Sequence, residues 1–281
     1  MKLEIVLTPS ELPALKRRDL GETACVVFDV LRATSTFVTA LHNGAKAIIP
    51  ASEISEALAI HQRQPDVLLG GERDGIRIRA AQTGGIDFDF GNSPREYTAE
   101  RVRDKTIVST TTNGTRALRA CAGAKTVLAS SFLNLTATAK FLEQLSPAHV
   151  VFICAGTREN AALEDVLAAG ALCEMLSGWG KRTREPNSDS LSGSRVRSPH
   201  QNAVCGFSDS AGIALRTYLQ AKDDLPATVR TSDNARRLLA ITELADDVPF
   251  CLQCDRYPIV VKGIEDGMTF VSVPENRRLN L

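Results

Sequence analysis

The chain has 281 residues, 43% hydrophobic and 23% charged, with enough length and apolar content to bury one large α/β core or two smaller ones. Thirty-three basic residues offset 33 acidic ones, so no bulk charge advertises nucleic acid or a membrane surface as partner. No stretch approaches the ~18 apolar residues of a membrane span, and residues 1–7 run straight into a strand-like segment containing Glu4, unlike a signal peptide. Seven cysteines, several inside apolar segments (Cys25, Cys154, Cys173), fit reduced thiols in a cytoplasmic protein better than a disulfide framework.

In chain order, strand-like runs fall at 3–7, 24–28, 47–49, 67–69, 106–109, 126–129 and 149–154. Helical patterns lie between them at 35–41, 54–61, 94–101, 114–120, 135–145 and 163–176, with Ser52 and Asn134 as N-cap candidates. Such alternation predicts a three-layer α/β/α fold with a largely parallel or mixed sheet. Residues 178–205 break the rhythm with polar runs such as Lys181-Arg182-Thr183-Arg184 and are expected to be a polar surface insertion. Helical patterns resume from Ser208, with Ser208 or Asp209 as cap, and again at 234–241. Segments 258–262 and 268–273, around Glu265-Asp266-Gly267, read as a hairpin. The chain is expected to form a single α/β unit over 1–281; if it divides into two α/β subdomains, the boundary falls near 125–150.

Four loops that follow predicted strands could carry chemistry. In Asp29-Val30-Leu31-Arg32-Ala33-Thr34-Ser35-Thr36 an acid at a strand end meets an arginine and a hydroxyl-rich helix start, a pattern suited to a phosphate or metal-phosphate site. Gly70-Gly71-Glu72-Arg73 repeats the acid-plus-arginine theme where glycines allow close backbone approach, and Gly91-Asn92-Ser93-Pro94 completes it. Thr111-Thr112-Asn113-Gly114-Thr115-Arg116 is a polar loop opening a helix; without the lysine of a P-loop it is not a nucleotide motif. Gly156-Thr157-Arg158 leads to Glu164-Asp165, adjacent acids that either compensate a helix dipole or hold a hard divalent cation. All four loops carry arginine in or beside the polar element, which points to a small polyanionic substrate. Cys251 and Cys254 have metal-ligand spacing but no second pair, and are expected to be two buried thiols one helical turn apart.

Together these motifs, with Asp87-Phe88-Asp89-Phe90 ahead of Gly91, resemble the 2-phosphosulfolactate phosphatase family, the ComB proteins of coenzyme M biosynthesis. The match runs in order from near the N-terminus to about Gly170, and more loosely through Ser208-Asp209-Ser210-Ala211 to the end. The resemblance implies a fold particular to that family and a magnesium-dependent phosphoric monoester hydrolase that removes phosphate from 2-phospho-3-sulfolactate. The chain departs from the family pattern in the 178–205 insertion and in Glu159-Asn160-Ala161-Ala162, which lacks a hydroxyl just before Leu163.

Carried onto this sequence, the expected catalytic residues are Asp29, Arg32, Glu72 and Asp165, with Mg²⁺ held by Asp29, Glu164 and Asp165. The expected substrate-binding residues are Thr34, Ser35, Thr36, Arg73, Asn92, Ser93, Thr112, Asn113, Gly114, Thr115, Arg116, Gly156 and Arg158. A substrate bearing phosphate, sulfonate and carboxylate needs several guanidiniums and a cation to offset mutual repulsion. The expected chemistry is in-line attack by water, with Glu72 or a second carboxylate as base; a phosphoaspartyl intermediate on Asp29 is the rival. Two other classes stay open: a phosphohydrolase or phosphotransferase for another small phosphorylated hydroxy acid, and a non-catalytic anion-binding protein. A homo-oligomer is the base-rate expectation.

Overall fold

The computed structural model of the chain describes residues 1–182, 206–264 and 269–274. The first third holds β1 (Lys2–Val6), α1 (Leu12–Leu15), β2 (Thr23–Phe28), α2 (Ala33–His42), β3 (Ala47–Pro50), α3 (Ile54–Arg63), β4 (Leu68–Arg73), β5 (Ile76–Arg77) and α4 (Ala80–Thr83). Then come α5 (Ala99–Val102), β6 (Thr106–Thr110), α6 (Gly114–Ala120), β7 (Thr126–Ser130), α7 (Leu135–Leu145), β8 (His149–Cys154) and α8 (Leu163–Arg182). The last part is β9 (Gly206–Phe207), α9 (Asp209–Ala221), α10 (Leu225–Arg230), α11 (Asp233–Leu239), α12 (Asp247–Cys251), β10 (Ile259–Ile264) and β11 (Thr269–Pro274).

Among the described residues, eleven strands form one sheet in the order β5-β4-β6-β3-β11-β10-β7-β2-β8-β1-β9. Two parallel blocks, β4-β6-β3 and β7-β2-β8-β1-β9, are joined by the antiparallel pair β10–β11. The joins are short: two residue pairs link β10 to β7, and only Phe270↔Ile48 links β11 to β3. Counted along the ladder the two blocks run in opposite senses, yet the loops after β2 and β4 meet in one site. The sheet therefore turns sharply at the hairpin, where right-handed strand twist accumulates across thin pairing. Helix α2 spans that turn and packs on β7, β10, β11 and β3.

Strand β2 explains the three layers. All six of its residues are buried, with Ala24, Val26 and Phe28 on one face and Cys25 and Val27 on the other. A strand covered on both faces has no polar alternation to keep. The first face packs under α7, α8 and α9; the second packs under α1, α2 and α6. At Gly170 any Cβ would come 2.2 Å from the Ala214 carbonyl, so α8 and α9 cross closely only because that residue has none.

The element expectations hold with four corrections. The run expected at 94–101 is not one helix: a single turn at Pro94–Glu96 is followed by α5, because Tyr97 is buried, stacks on Phe90 and donates to the Gly91 carbonyl at 2.8 Å. The break expected at 178 comes later, since α8 continues through Arg182; residues 183–205 lie outside the described residues, as do 265–268 of the hairpin turn. Neither Ser52 nor Asn134 caps a helix with its side chain; Asn134 accepts from the Ser131 amide and donates to the Ile259 carbonyl. Cys251 ends α12 buried while Cys254 is exposed beyond it, so they are not a buried pair. None of the six cysteines among the described residues is in a disulfide. Of the described helices, none is long and apolar enough to cross a membrane.

Candidate active site

Asp29 leaves the end of β2 and is only 7% exposed. Its Oδ1 accepts from the Ala33 amide at 3.0 Å, closing the turn into α2. Burial pushes its carboxyl up to about 6; the Ala33 hydrogen bond opposes this, and the charges of Glu72 and Glu164 add to it. The neighbouring hydroxyls face inward. Thr34 Oγ1 accepts the Asp29 amide and donates to the Asp29 carbonyl, both at 3.0 Å. Ser35 Oγ donates to the Val30 carbonyl and Thr36 Oγ1 to the Asn92 carbonyl, each at 2.8 Å. These three residues fold the loop; they do not face a ligand.

The Gly70-Gly71-Glu72-Arg73 motif is strand, not loop, since β4 pairs with β6 through Gly71. Gly71 has φ +152°, and a Cβ there would lie 2.2 Å from the Thr110 carbonyl. Glu72 is held at both oxygens: Oε2 accepts from the Gly75 amide at 2.6 Å, and Oε1 from the Thr112 amide and hydroxyl at 2.9 and 3.0 Å. Arg73 donates to the Glu72 carbonyl and to Thr110 Oγ1. Gly114, opening α6, sits against the acid, and a Cβ there would come 2.7 Å from Asp29 Oδ2.

The third wall is the β8–α8 loop. Asp165, 2% exposed, accepts from the Val30 amide at 2.8 Å and the Gly156 amide at 3.0 Å, stapling two loops together. Burial, then the charges of Glu164 and Asp29, push its carboxyl well up. Glu164 is 1% exposed and differs: Oε1 accepts from Asn234 Nδ2 at 2.8 Å, while Oε2 is buried without any partner. Such an orphan is rare in a folded protein, and a bound ion or water would complete it.

The arginines also divide. Arg32, 3% exposed, donates to Asp247 Oδ2 and to the Gly75 carbonyl, both at 2.7 Å. Asp247 in turn accepts from Ser93 Oγ at 2.6 Å and Arg95 Nε at 2.9 Å. Arg116 is paired with Glu159 on the surface. Among the described residues Arg158 has no hydrogen-bond or ion-pair partner for its guanidinium; only its amide is engaged, by Asn113 Oδ1.

A pocket of about 40 Å³ lies between these loops, bounded by Asp29, Glu72, Asn92, Thr112, Asn113 and Arg158. At ~10–15 Å³ per water, it has room for about three waters, the scale of one oxyanion group. Through Thr157, Arg158 and Arg237 it opens into a cleft of about 480 Å³ walled by Glu164 and Asn234. Of the expected substrate-binding residues, Asn92, Thr112, Asn113 and Arg158 line the pocket, while Thr34, Ser35, Thr36, Arg73, Ser93, Gly114, Thr115, Arg116 and Gly156 frame it or face elsewhere.

Asp29, Glu164 and Asp165 do not form a ligand cluster; no three His, Cys, Asp or Glu side chains do so among the described residues. Among the described residues, two buried carboxylates of the site keep an oxygen without a protein donor, Asp29 Oδ2 and Glu164 Oε2, and the exposed Asp74 also borders the pocket. That donor set suits Mg²⁺, which binds one or two carboxylates and keeps waters and substrate phosphate as its other ligands.

Three contributors escaped the sequence: Asn234, Arg237 and Asp247. Asn234 donates to Glu164 and, at 2.5 Å, to Thr157 Oγ1, and accepts from Arg237 Nη2 at 3.0 Å. Its spacing of three from Arg237 on one helix face was the available signal. Asp247, in a five-residue helix with a proline two positions on, gave none.

The sequence matches the family model described as 2-phosphosulpholactate phosphatase over residues 6–265. A protein of Caldanaerobacter subterraneus subsp. tengcongensis named "Probable 2-phosphosulfolactate phosphatase" is 37% identical over 263 residues, covering 92% of this chain and 95% of that one. Proteins with the same name from Synechococcus sp. and Thermotoga maritima are each 35% identical, over 93% and 85% of this chain and 95% and 89% of theirs. The chain belongs to the 2-phosphosulfolactate phosphatase family.

Proposed function

We propose that the protein hydrolyses the phosphate ester of 2-phospho-3-sulfolactate, giving sulfolactate and phosphate, and that it does so with Mg²⁺. Family membership supports the substrate. The single structural observation that carries the rest is the buried Glu164 Oε2, without a partner among the described residues, on the cleft that adjoins the pocket lined by Asp29. That oxygen and Asp29 Oδ2 would hold Mg²⁺, which when bound supplies a positive charge that offsets the phosphate and polarises its oxygens.

The chain's own residues do the remaining work. The small pocket admits one phosphate-sized group, with the polar side chains of Asn92, Thr112 and Asn113 around it. Glu72 and Asp165, each accepting at both carboxylate oxygens, hold four loops in register. Water attacks phosphorus in line with the departing hydroxyl oxygen of sulfolactate, and the proton the water loses ends on that oxygen as the P–O ester bond breaks. Six cysteines outside any disulfide among the described residues fit a reducing cytoplasm, and the substrate would place the enzyme in sulfolactate or coenzyme M metabolism.

The test is phosphate release from racemic 2-phospho-3-sulfolactate, with Mg²⁺ and with EDTA, by wild type and Asp29→Asn. Release that needs the cation and falls at least about 10³-fold in the variant is expected, the scale of losing an electrostatic contact made in the transition state. Trapping a base-labile acyl-phosphate on Asp29 by rapid quench would replace water attack with a covalent route.

A further inference from the structure

In the cleft beside the pocket two guanidiniums form no ion pair with an acid among the described residues. Most arginines around the site are matched by an acid: Arg32 by Asp247, Arg77 by Glu96, Arg116 by Glu159. Arg158 and Arg237 are not. Arg158 has no side-chain partner among the described residues, and Arg237 reaches only the neutral Asn234 Oδ1. Both border the 40 Å³ pocket and the 480 Å³ cleft, so they stand where one becomes the other. Asp233, an acid on the cleft wall, is taken by Arg236. Asn234 joins this edge to the pocket, since the same side chain orients Glu164 and receives Arg237.

Resting on the proposed activity, we infer that Arg237, with Arg158, forms an anion subsite that reads the acid group a substrate carries besides its phosphate. With the phosphate in the small pocket, the rest of a three-carbon acid must extend into the cleft, because 40 Å³ holds little more than one oxyanion. Two guanidiniums without counter-charges then meet a carboxylate or sulfonate at the cleft's inner edge. Arg237 is thus a specificity residue supplied by α11, far in sequence from the loops that hold the phosphate.

The experiment compares kcat/KM for 2-phospho-3-sulfolactate, 2-phospholactate (no sulfonate) and phosphoisethionate (no carboxylate), each relative to monoethyl phosphate, in wild type, Arg237→Gln and Arg237→Lys. The ratio for phosphosulfolactate should fall roughly 10–100-fold in Arg237→Gln, as expected for a lost charged hydrogen bond, and less in Arg237→Lys, which keeps the charge but not the fork. Whichever truncated ester also loses its advantage carries the group that is read. Arg158→Gln, an exposed position, should lower the same ratio and guards against misfolding of the first variant. Ratios within about threefold of wild type in all variants would overturn the subsite. Calorimetric binding of 3-sulfolactate separates the two claims. Affinity lost with Arg237 in a protein that releases no phosphate would sink the activity and keep the subsite. Unchanged affinity and ratios in an active enzyme would do the reverse.

Discussion

Two sides of the same pocket use polar residues in opposite ways. On the β2–α2 side, Thr34, Ser35, Thr36 and Arg32 are buried and each is bonded to protein. On the β8–α8 and α11 side, and among the described residues, Glu164 keeps an oxygen without a donor, Arg158 a guanidinium without a partner, and Arg237 a charge without an acid. A residue with all its bonds made inside the protein stabilises geometry; one with a bond left over can bind something. The comparison assigns framework to the first side and recognition to the second, even though the first carries the more conspicuous motif.

The largest expected effect breaks the framework side. Asp247→Ala leaves Arg32 buried beside a lost partner and should destabilise the fold by roughly 3–5 kcal/mol, read from urea denaturation. An effect near zero would mean that Arg32 swings to the pocket and belongs with the recognition side.

Next comes pH dependence at Asp29. Its carboxyl moves from 3.8 to about 6 on folding, so the folded state holds the proton more tightly than the unfolded chain. That contribution is fully present below about pH 4 and is lost as pH rises through 6, a swing of about 3 kcal/mol for the cation-free protein. In EDTA, Asp29→Asn should therefore be the more stable of the two above pH 7, with the difference gone near pH 4. Stability curves that stay parallel across that range would refute the assignment. Thr34→Val, which removes the hydroxyl that both receives and donates at Asp29, should destabilise by about 1–3 kcal/mol.

The smallest effect is expected where the sequence pointed to substrate. Arg116→Gln breaks only a half-exposed pair with Glu159 and should change stability by less than about 1 kcal/mol. Its KM for phosphosulfolactate should stay within about threefold of wild type, since Arg116 does not border the pocket.

Much of the fold was legible because strand and helix periods differ and the strand ends were marked: β2, β8, α6 and α7 lie within a residue of where the pattern put them. The order of the sheet was not, since the C-terminal hairpin inserts between two blocks by long-range pairing that no local signal encodes. The acids of the site were readable from their loops, but not their duties. Glu72 and Glu164 look alike in sequence, and only the donors around them show that one is engaged at both oxygens and the other at one. Arg237 and Asp247 act from segments whose local patterns are those of ordinary short helices.

The central claim is that an open oxygen, not a motif, marks the cation site, and Mn²⁺ binding by Glu164→Gln and Glu72→Gln tests it most directly. Calorimetry on the folded variants should find Mn²⁺ affinity reduced at least about tenfold in Glu164→Gln and close to wild type in Glu72→Gln. Affinity retained in Glu164→Gln and lost in Glu72→Gln would contradict it.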